Sequence, residues 1–367
     1  MDLTKTSGRA VLELKANAEY TRHSEGAFLR MKDGSILYAY SRFRESSRDD
    51  APSDIVGCFS YDEGETWTEP TPFLNAADYN SHNIMSVSLL RMQNGDVGLF
   101  FGSRQKPTMG LHHLALSNDE CKSFYRTVVC SLPDRPGYYV LNNDRVVRLR
   151  SGRLVMPLAF HRGGYNTREP GSVYFEWRSV LMFLLSDDDG QTWRESADAV
   201  FPPFNRSKSG LQEPGVLERE DGSLWAWART DRMWQYECFS FDGGEHWTQA
   251  QISQFTSPNS PMQVKRRESD RSLTAVWNPI PNYNGRVRYK GFAGRTPIAY
   301  ARSFDDGVTW TEPEVIEGAE DCGYCYPSIF YTNDGCALVG YCSGTPKEGD
   351  CLTNCTVRKI PLPGKQG

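Results

Sequence analysis

Cys322 and Cys325 form a C-x-x-C pair, and Cys351 and Cys355 follow soon after. Four thiolates so spaced could hold a zinc ion tetrahedrally. A structural site needs that spacing on tight knuckles, however, and Gly323-Tyr324 gives little support for one, so neither a metal nor a cofactor is expected. Cys58, Cys238 and Cys342 fall in apolar, strand-like runs where a free thiol packs as a small hydrophobe. Lys265-Arg266-Arg267 could contact phosphate, but the chain carries a net charge of −5 and has no basic face, so the run reads as solvated and nucleic acid is excluded as a partner. His82, His112 and His113 read as loop or core histidines, and Trp225, Trp227 and Trp234 as core.

What would position any reactive groups is a repeat. SYDEGETW at Ser60–Trp67 recurs as SDDDGQTW at Ser186–Trp193, SFDGGEHW at Ser240–Trp247 and SFDDGVTW at Ser303–Trp310, with a degraded copy, SNDECKSF, at Ser117–Phe124. Each can fold as a turn in which the aspartate accepts backbone N–H bonds, the glycine supplies positive φ and the indole anchors the turn against strands. A second series alternates with it: hairpin signals centred on Gly34, Gly95, Gly152, Gly222 and Gly335, each followed by an apolar strand, and a sixth without glycine at Asp270-Arg271. Six hairpins on the scale of a propeller blade predict an all-β chain, a six-bladed β-propeller of four-stranded antiparallel blades. Residues 1–367 read as one domain, its last sheet completed by an N-terminal strand near Ala10–Leu14, which removes an open edge. The 32 glycines and 21 prolines suit many short strands and tight turns. No run of eighteen apolar residues exists, so no membrane-spanning helix is expected, and the N-terminus lacks the apolar core of a secretory signal, so the expected location is the cytoplasm. Oligomerisation is left open.

On a propeller, Asn142, Asn143, Asp144 and Arg145 precede an apolar strand near the central channel, and His161-Arg162 would face its mouth. Polar groups there either line a binding site or pack the channel around water; both readings stand, with Asn143, Arg145 and His161 as binding candidates.

Five boxes on six blades resemble the sialidase superfamily over essentially the whole chain. The resemblance implies an exo-acting glycoside hydrolase with a glycan substrate. Glu213, shortly before the hairpin at Gly222, is similar to the family's glutamate, and Arg229, ending Trp225-Ala226-Trp227-Ala228-Arg229, to one of its three substrate-carboxylate arginines. Arg295, after Trp277-Asn278-Pro279, is similar to another. Tyr326, nine residues before Gly335, stands where the family places its nucleophile, with Tyr324 as the competing choice. A neutral tyrosine avoids the repulsion of about 1–4 kcal/mol that a carboxylate nucleophile would meet beside an anomeric carboxylate. With a pKa of about 10 it needs a base, the role implied for Glu213. The acid would come from the loop Arg48–Asp54, with Asp50 favoured and Asp49 and Asp54 as neighbours.

One position departs from the family. Its first arginine, in a Phe-Arg-Ile-Pro motif, falls where this chain reads His23-Ser24-Glu25-Gly26-Ala27-Phe28. Losing a bidentate arginine would weaken carboxylate binding about a hundredfold unless Arg22, Arg42 or Arg44 substitutes. Glu25 could instead bind sugar hydroxyls or act as an acid–base group. The alternatives to hydrolysis are a polysaccharide lyase acting on uronates through Tyr326, His161 and Arg295, and a non-catalytic glycan-binding propeller.

Overall fold

A computed structural model describes residues 5–106, 109–132, 134, 137–165, 173–280 and 294–362. The boxes form as their residue types require. Ser60 Oγ donates to Asp62 Oδ1 at 2.9 Å and accepts the Gly64 N–H at 2.8 Å, while Asp62 accepts the Thr66 N–H at 2.9 Å and its hydroxyl at 2.5 Å. The Trp67 indole N–H closes onto the Gly64 carbonyl at 3.3 Å. The boxes at Ser186, Ser240 and Ser303 repeat this pattern. The degraded copy keeps the Ser117–Asp119 bonds, with Cys121 at φ 67° where Gly64 has φ 85°.

The described strands assemble into six antiparallel blade sheets and one separate two-stranded hairpin. Blade one runs Arg22–Arg30, Ile36–Phe43, Ser53–Ser60 and Thr71–Leu74. Blade two runs Ile84–Arg91, Val97–Lys106, Met109–Ser117 and Arg126–Val129. Blade four runs Gln212–Glu218, Leu224–Arg229, Trp234–Ser240 and Gln251–Thr256, and blade five Gln263–Arg266, Leu273–Trp277, Ile298–Ser303 and Glu314–Glu317. In blade three the first strand is split into Tyr138–Val140 and Val147–Arg148, both paired to Leu154–His161, with Val180–Ser186 and Arg194–Glu195 outside. Blade six is Gly323–Tyr331, Cys336–Gly344 and Asn354–Pro361, completed by Arg9–Leu14 from the N-terminus, as the sequence predicts. The fold is the expected six-bladed propeller. Among the described residues the only helical turn is Ala76–Tyr79.

Each blade buries apolar faces against its neighbours: Leu37, Ala39 and Ile55 of blade one meet Val87, Leu99 and Phe101 of blade two. Trp225 and Trp227 are core, as expected, each with its indole N–H satisfied, by Glu237 and by the Met262 carbonyl. The split in blade three frees Leu141–Val146 to plug the axis. Asn143 Nδ2 donates to the Gly26 carbonyl at 2.8 Å and toward that of Tyr326 at 3.4 Å. Asp144 takes Lys265 Nζ at 2.6 Å and the Ile329 N–H at 3.2 Å, and Arg145 reaches Gln263 Oε1 at 2.5 Å.

The boxes also tie blades together. The fourth box residue, just before the glycine or its Cys121 replacement, is a carboxylate in four of them, and it accepts a backbone N–H from the hairpin of the preceding blade. Glu63 takes the Asn333 N–H at 2.8 Å, Glu120 that of Lys32 at 2.8 Å, Asp189 that of Gln93 at 2.9 Å and Asp306 that of Glu220 at 2.8 Å. Each also pairs with an arginine near the end of its own blade's inner strand, Arg30, Arg91, Arg148 and Arg266 respectively. Blade four has Gly243 at this place, and Glu218 makes the equivalent link to the Arg150 N–H at 2.7 Å.

Candidate active site

At the end of the ring opposite the boxes, the innermost strands share one irregularity. In blades one, two, four and six, two residues of the first strand oppose a single residue of the second: Glu25-Gly26, Ser86-Val87, Glu213-Pro214 and Tyr326-Pro327. The first residue of each bulge is left-handed, with φ of 61°, 66°, 47° and 55°. Non-glycine residues held there cost about 1–3 kcal/mol each, and such strain concentrates where a side chain must be aimed. All four side chains line one cavity of about 210 Å³, below the usual range of about 300–1,000 Å³ for ligand pockets.

Inside it, Tyr326 Oη donates to Glu213 Oε1 at 2.8 Å. Arg229 Nη1 donates to Glu213 Oε2 at 2.5 Å and to Tyr326 Oη at 3.2 Å, and its Nε reaches Gln212 Oε1 at 3.1 Å. Loss of solvent, then the neighbouring Glu213, push the Tyr326 phenol well above its usual range, so it is neutral at rest although Arg229 and Arg295 act against the rise. Across the seam between blades six and one, Glu25 is 3 % exposed; its Oε1 accepts Arg22 Nη2 at 2.8 Å and its Oε2 accepts Ser86 Oγ at 2.5 Å. Burial raises its carboxyl to about 7 against the pull of Arg22. Arg22, fully buried, also holds Asp49 at 2.6 Å. The Asp49 side chain is 62 % exposed; loss of solvent against the pocket wall works to raise its carboxyl, but Arg22, Arg104 and Arg229 hold it below the usual carboxylate range.

The structure thus gathers Tyr326, Glu213, Arg229, Glu25 and His161 around one pocket. The His161 Nδ1 lies 3.2 Å from the Glu176 carbonyl, and burial lowers its pKa. Other expected site residues lie elsewhere. Asp50 turns outward to pair with exposed Arg48 at 2.9 Å, and its neighbour Asp49 lines the pocket in its stead. Asp54 caps the Ala76 N–H and pairs with Arg44. Arg42 stacks on the Tyr20 ring, 3.9 Å from its centroid, and takes no part in the pocket lining. Asn143 and Arg145 are buried in the axial plug. Tyr324 packs against Tyr341 and leaves the pocket to Tyr326. Arg295 stands behind the Tyr326 ring at 5.6 Å, outside the lining. Its donors go to the Asn259 carbonyl at 3.2 and 3.3 Å and to the sulfurs of Cys325 at 3.4 Å and Cys351 at 3.6 Å. Of the C-x-x-C pair, Cys322 Sγ bonds the Gly323 carbonyl, while Cys325 Sγ donates toward Cys351 Sγ at 3.8 Å, and that bond, with Arg295, lowers the Cys351 thiol although burial opposes it.

Sequence reasoning missed an aromatic wall. Beyond His161 the chain inserts a hairpin, Gly163–Tyr165 with Val173–Phe175, outside the repeat. It carries Phe175 onto His161, stacked at 5.2 Å, and leads to Trp177, which is 69 % exposed on the rim. Tyr138 and Arg104, bonded at 2.7 Å, continue the wall. The one sequence signal was the aromatic density of Tyr174-Phe175-Glu176-Trp177 straight after the third hairpin strand's loop. The histidines read as core or loop are so placed: His112, 2 % exposed, also contributes to the pocket lining, His113 is core, bonded to Ser103 at 2.7 Å, and His82 is exposed on a loop.

No curated protein matches the chain. Solved structures match its fold throughout. A Dyadobacter fermentans protein of unknown function superposes with a TM-score of 0.71 at 18 % identity, covering 96 % of this chain and 99 % of that one. The Hadza microbial sialidase Hz136 gives 0.72 at 17 %, covering 97 % and 68 %, and the leech intramolecular trans-sialidase 0.70 at 14 %, covering 97 % and 70 %. Residues 40–339 match the BNR repeat-like domain model. With boxes, blades and that match in agreement, the chain belongs to the BNR repeat-like domain family, on the propeller fold that sialidases share.

Proposed function

We propose that the protein is an exo-acting glycoside hydrolase that releases one terminal sugar from a glycan by way of a tyrosyl–sugar intermediate. The observation that carries this is the contact of Tyr326 Oη with Glu213 Oε1 at 2.8 Å, with Arg229 on both groups. Tyr326 attacks the anomeric carbon while its proton passes to Glu213, and Arg229 stabilises the oxygen as charge develops on it. Two-carboxylate hydrolysis is the common alternative, and sialidases are among its exceptions. Three carboxylates already line this pocket, Glu25, Asp49 and Glu213, and a neutral nucleophile adds no fourth charge to them. Asp49 exchanges the proton of the leaving oxygen and then of water. Because the surrounding arginines hold it acidic, turnover is favoured below neutral pH. The small cavity, corked below by the axial plug, suits a single ring, and exposed Trp177 on the rim offers that ring or the next a stacking face.

The test is a panel of 4-methylumbelliferyl glycosides assayed with wild type, Tyr326→Phe and Glu213→Gln. Each variant is expected to lose about a thousandfold or more in kcat on the best substrate, in line with loss of a nucleophile or its base. Activity within tenfold of wild type in either variant would overturn the assignment. Sugar binding with no turnover on any glycoside would favour a binding propeller.

A further inference from the structure

We infer that the pocket accepts an uncharged, hydroxyl-rich terminal sugar and rejects one bearing a carboxylate on its anomeric carbon, with Glu25 as the residue that decides between them. This rests on the hydrolase reading for turnover, but the binding preference stands on the charges of the pocket alone.

The described lining residues hold three carboxylates, Glu25, Asp49 and Glu213, against two guanidiniums, Arg104 and Arg229. Arg229 is engaged with Glu213, Gln212 and Tyr326, and Arg104 with the Tyr138 hydroxyl. Two further arginines that could have met an anion are held back in the wall. Arg22 is fully buried between Glu25 and Asp49, and Arg295 is bonded to the Asn259 carbonyl and two cysteine sulfurs. Where a cation would have to stand beside the nucleophile, the chain puts a carboxylate. Glu25 occupies in blade one the same left-handed bulge position that Tyr326 occupies in blade six. Asn143 bridges the two bulges through the carbonyls of Gly26 and Tyr326, so Glu25 flanks the attacking phenol. An anomeric carboxylate would find no uncommitted guanidinium among the described lining residues, and once Glu25 ionises, above about pH 7, it would meet like charge as well.

A hydroxyl-rich ring meets complementary groups instead. Glu25 Oε1 is ordered by Arg22 at 2.8 Å with Ser24 Oγ at 3.4 Å, and Oε2 by Ser86 alone at 2.5 Å, which leaves Oε2 with acceptor capacity. Asn142, 1 % exposed and on the lining, has an Nδ2 with no partner, which leaves a donor for a sugar oxygen. Acceptors and donors side by side suit hydroxyls, which are both at once.

The experiment compares 4-methylumbelliferyl galactoside, glucoside, mannoside and fucoside with the N-acetylneuraminide and the glucuronide, using wild type, Tyr326→Phe, Glu25→Gln and Glu25→Arg, with thermal melts confirming folded variants. Ligand-observed NMR with the corresponding free sugars runs beside it. A neutral glycoside is expected to exceed both acidic ones in kcat/KM by a hundredfold or more. Glu25→Gln should raise its KM about tenfold with a smaller change in kcat, and narrow the gap to the acidic sugars. If Glu25→Arg does not fold, Glu25→Gln alone reads the effect. Preference for the neuraminide or glucuronide, abolished by Tyr326→Phe, would overturn this inference and leave the hydrolase reading intact. If nothing is cleaved, the hydrolase reading fails. NMR saturation of neutral sugars that Glu25→Gln weakens would then uphold the inference, and saturation by N-acetylneuraminate alone, or by no sugar, would overturn it.

Discussion

Replacing Glu25 by glutamine should change how the stability of the protein depends on pH, in a direction the structure fixes. Burial raises the Glu25 carboxyl from 4.5 to about 7 in the folded state. Between those values the unfolded chain has released the proton and the folded chain keeps it. Stability is therefore highest below pH 4.5 and falls as pH rises toward 7, after which it is constant. A gap of about 2.5 pKa units corresponds to about 3 kcal/mol. With an unfolding entropy of about 0.8 kcal/mol/K for a chain of this length, that is a shift of about 4 °C in melting temperature. The wild-type profile alone would hide the effect. Burial lowers His23 and His113 to about 4 and, with help from neighbouring His113, His112 to about 3. A buried neutral histidine adds stability as pH rises toward 6.5, the opposite slope. Those histidines are common to both proteins and cancel in the difference. Thermal and urea melts of wild type and Glu25→Gln at pH 5 and pH 8 isolate Glu25: the variant should gain about 2.5 kcal/mol relative to wild type between the two, the rest of the effect lying below pH 5. A relative change within about 0.5 kcal/mol of zero would show that Glu25 titrates as an ordinary carboxylate and refute the reasoning from its burial.

Two further outcomes follow from geometry. Asp49→Asn should lower kcat/KM on the best glycoside by about a hundredfold or more, as loss of an acid–base group does, and Asp50→Asn should leave it within about twofold; equal effects would mean that the acid lies elsewhere. Glu63→Ala removes the acceptor of Arg30 and of the Asn333 N–H at the seam where the ring closes. It should cost about 2 kcal/mol, or about 3 °C, and add to the cost of Asp306→Ala at another seam. Unchanged melting in both would refute the carboxylate links between blades.

The scaffold was legible because its signals are local and repeated. A glycine or aspartate at fixed offset sets a turn, and Gly34 or Asp62 needs only its own neighbours to do so. Glu213, Arg229 and Tyr326 could be located by counting along strands whose register the hairpins fix. Asp49 and Asp50 are indistinguishable in sequence because a loop has no such register: one residue of twist, set by Arg22 on one side and Arg48 on the other, decides which carboxyl lines the pocket. Arg295 was located by the same counting, yet its orientation depends on Cys351 and Asn259, far away in sequence. The aromatic wall from Phe175 and Trp177 lies in an insertion, where a repeat carries no information. The bulges left no trace at all, since nothing in Glu25-Gly26, Ser86-Val87, Glu213-Pro214 and Tyr326-Pro327 announces a shared left-handed backbone.

Those four bulges have a consequence for how such a molecule can change. Each works as a socket: the main chain supplies one fixed direction and level, and the residue plugged into it supplies the chemistry, phenol, carboxylate or hydroxyl. A substitution there rewrites the pocket without rebuilding a blade, because the backbone shape is the same whichever side chain stands in it. Glycine alone would relax the strain, and it would leave the socket empty. The ring therefore trades a few kilocalories of ease for a reprogrammable mouth, and a single exchange at Glu25 is the shortest route to another sugar.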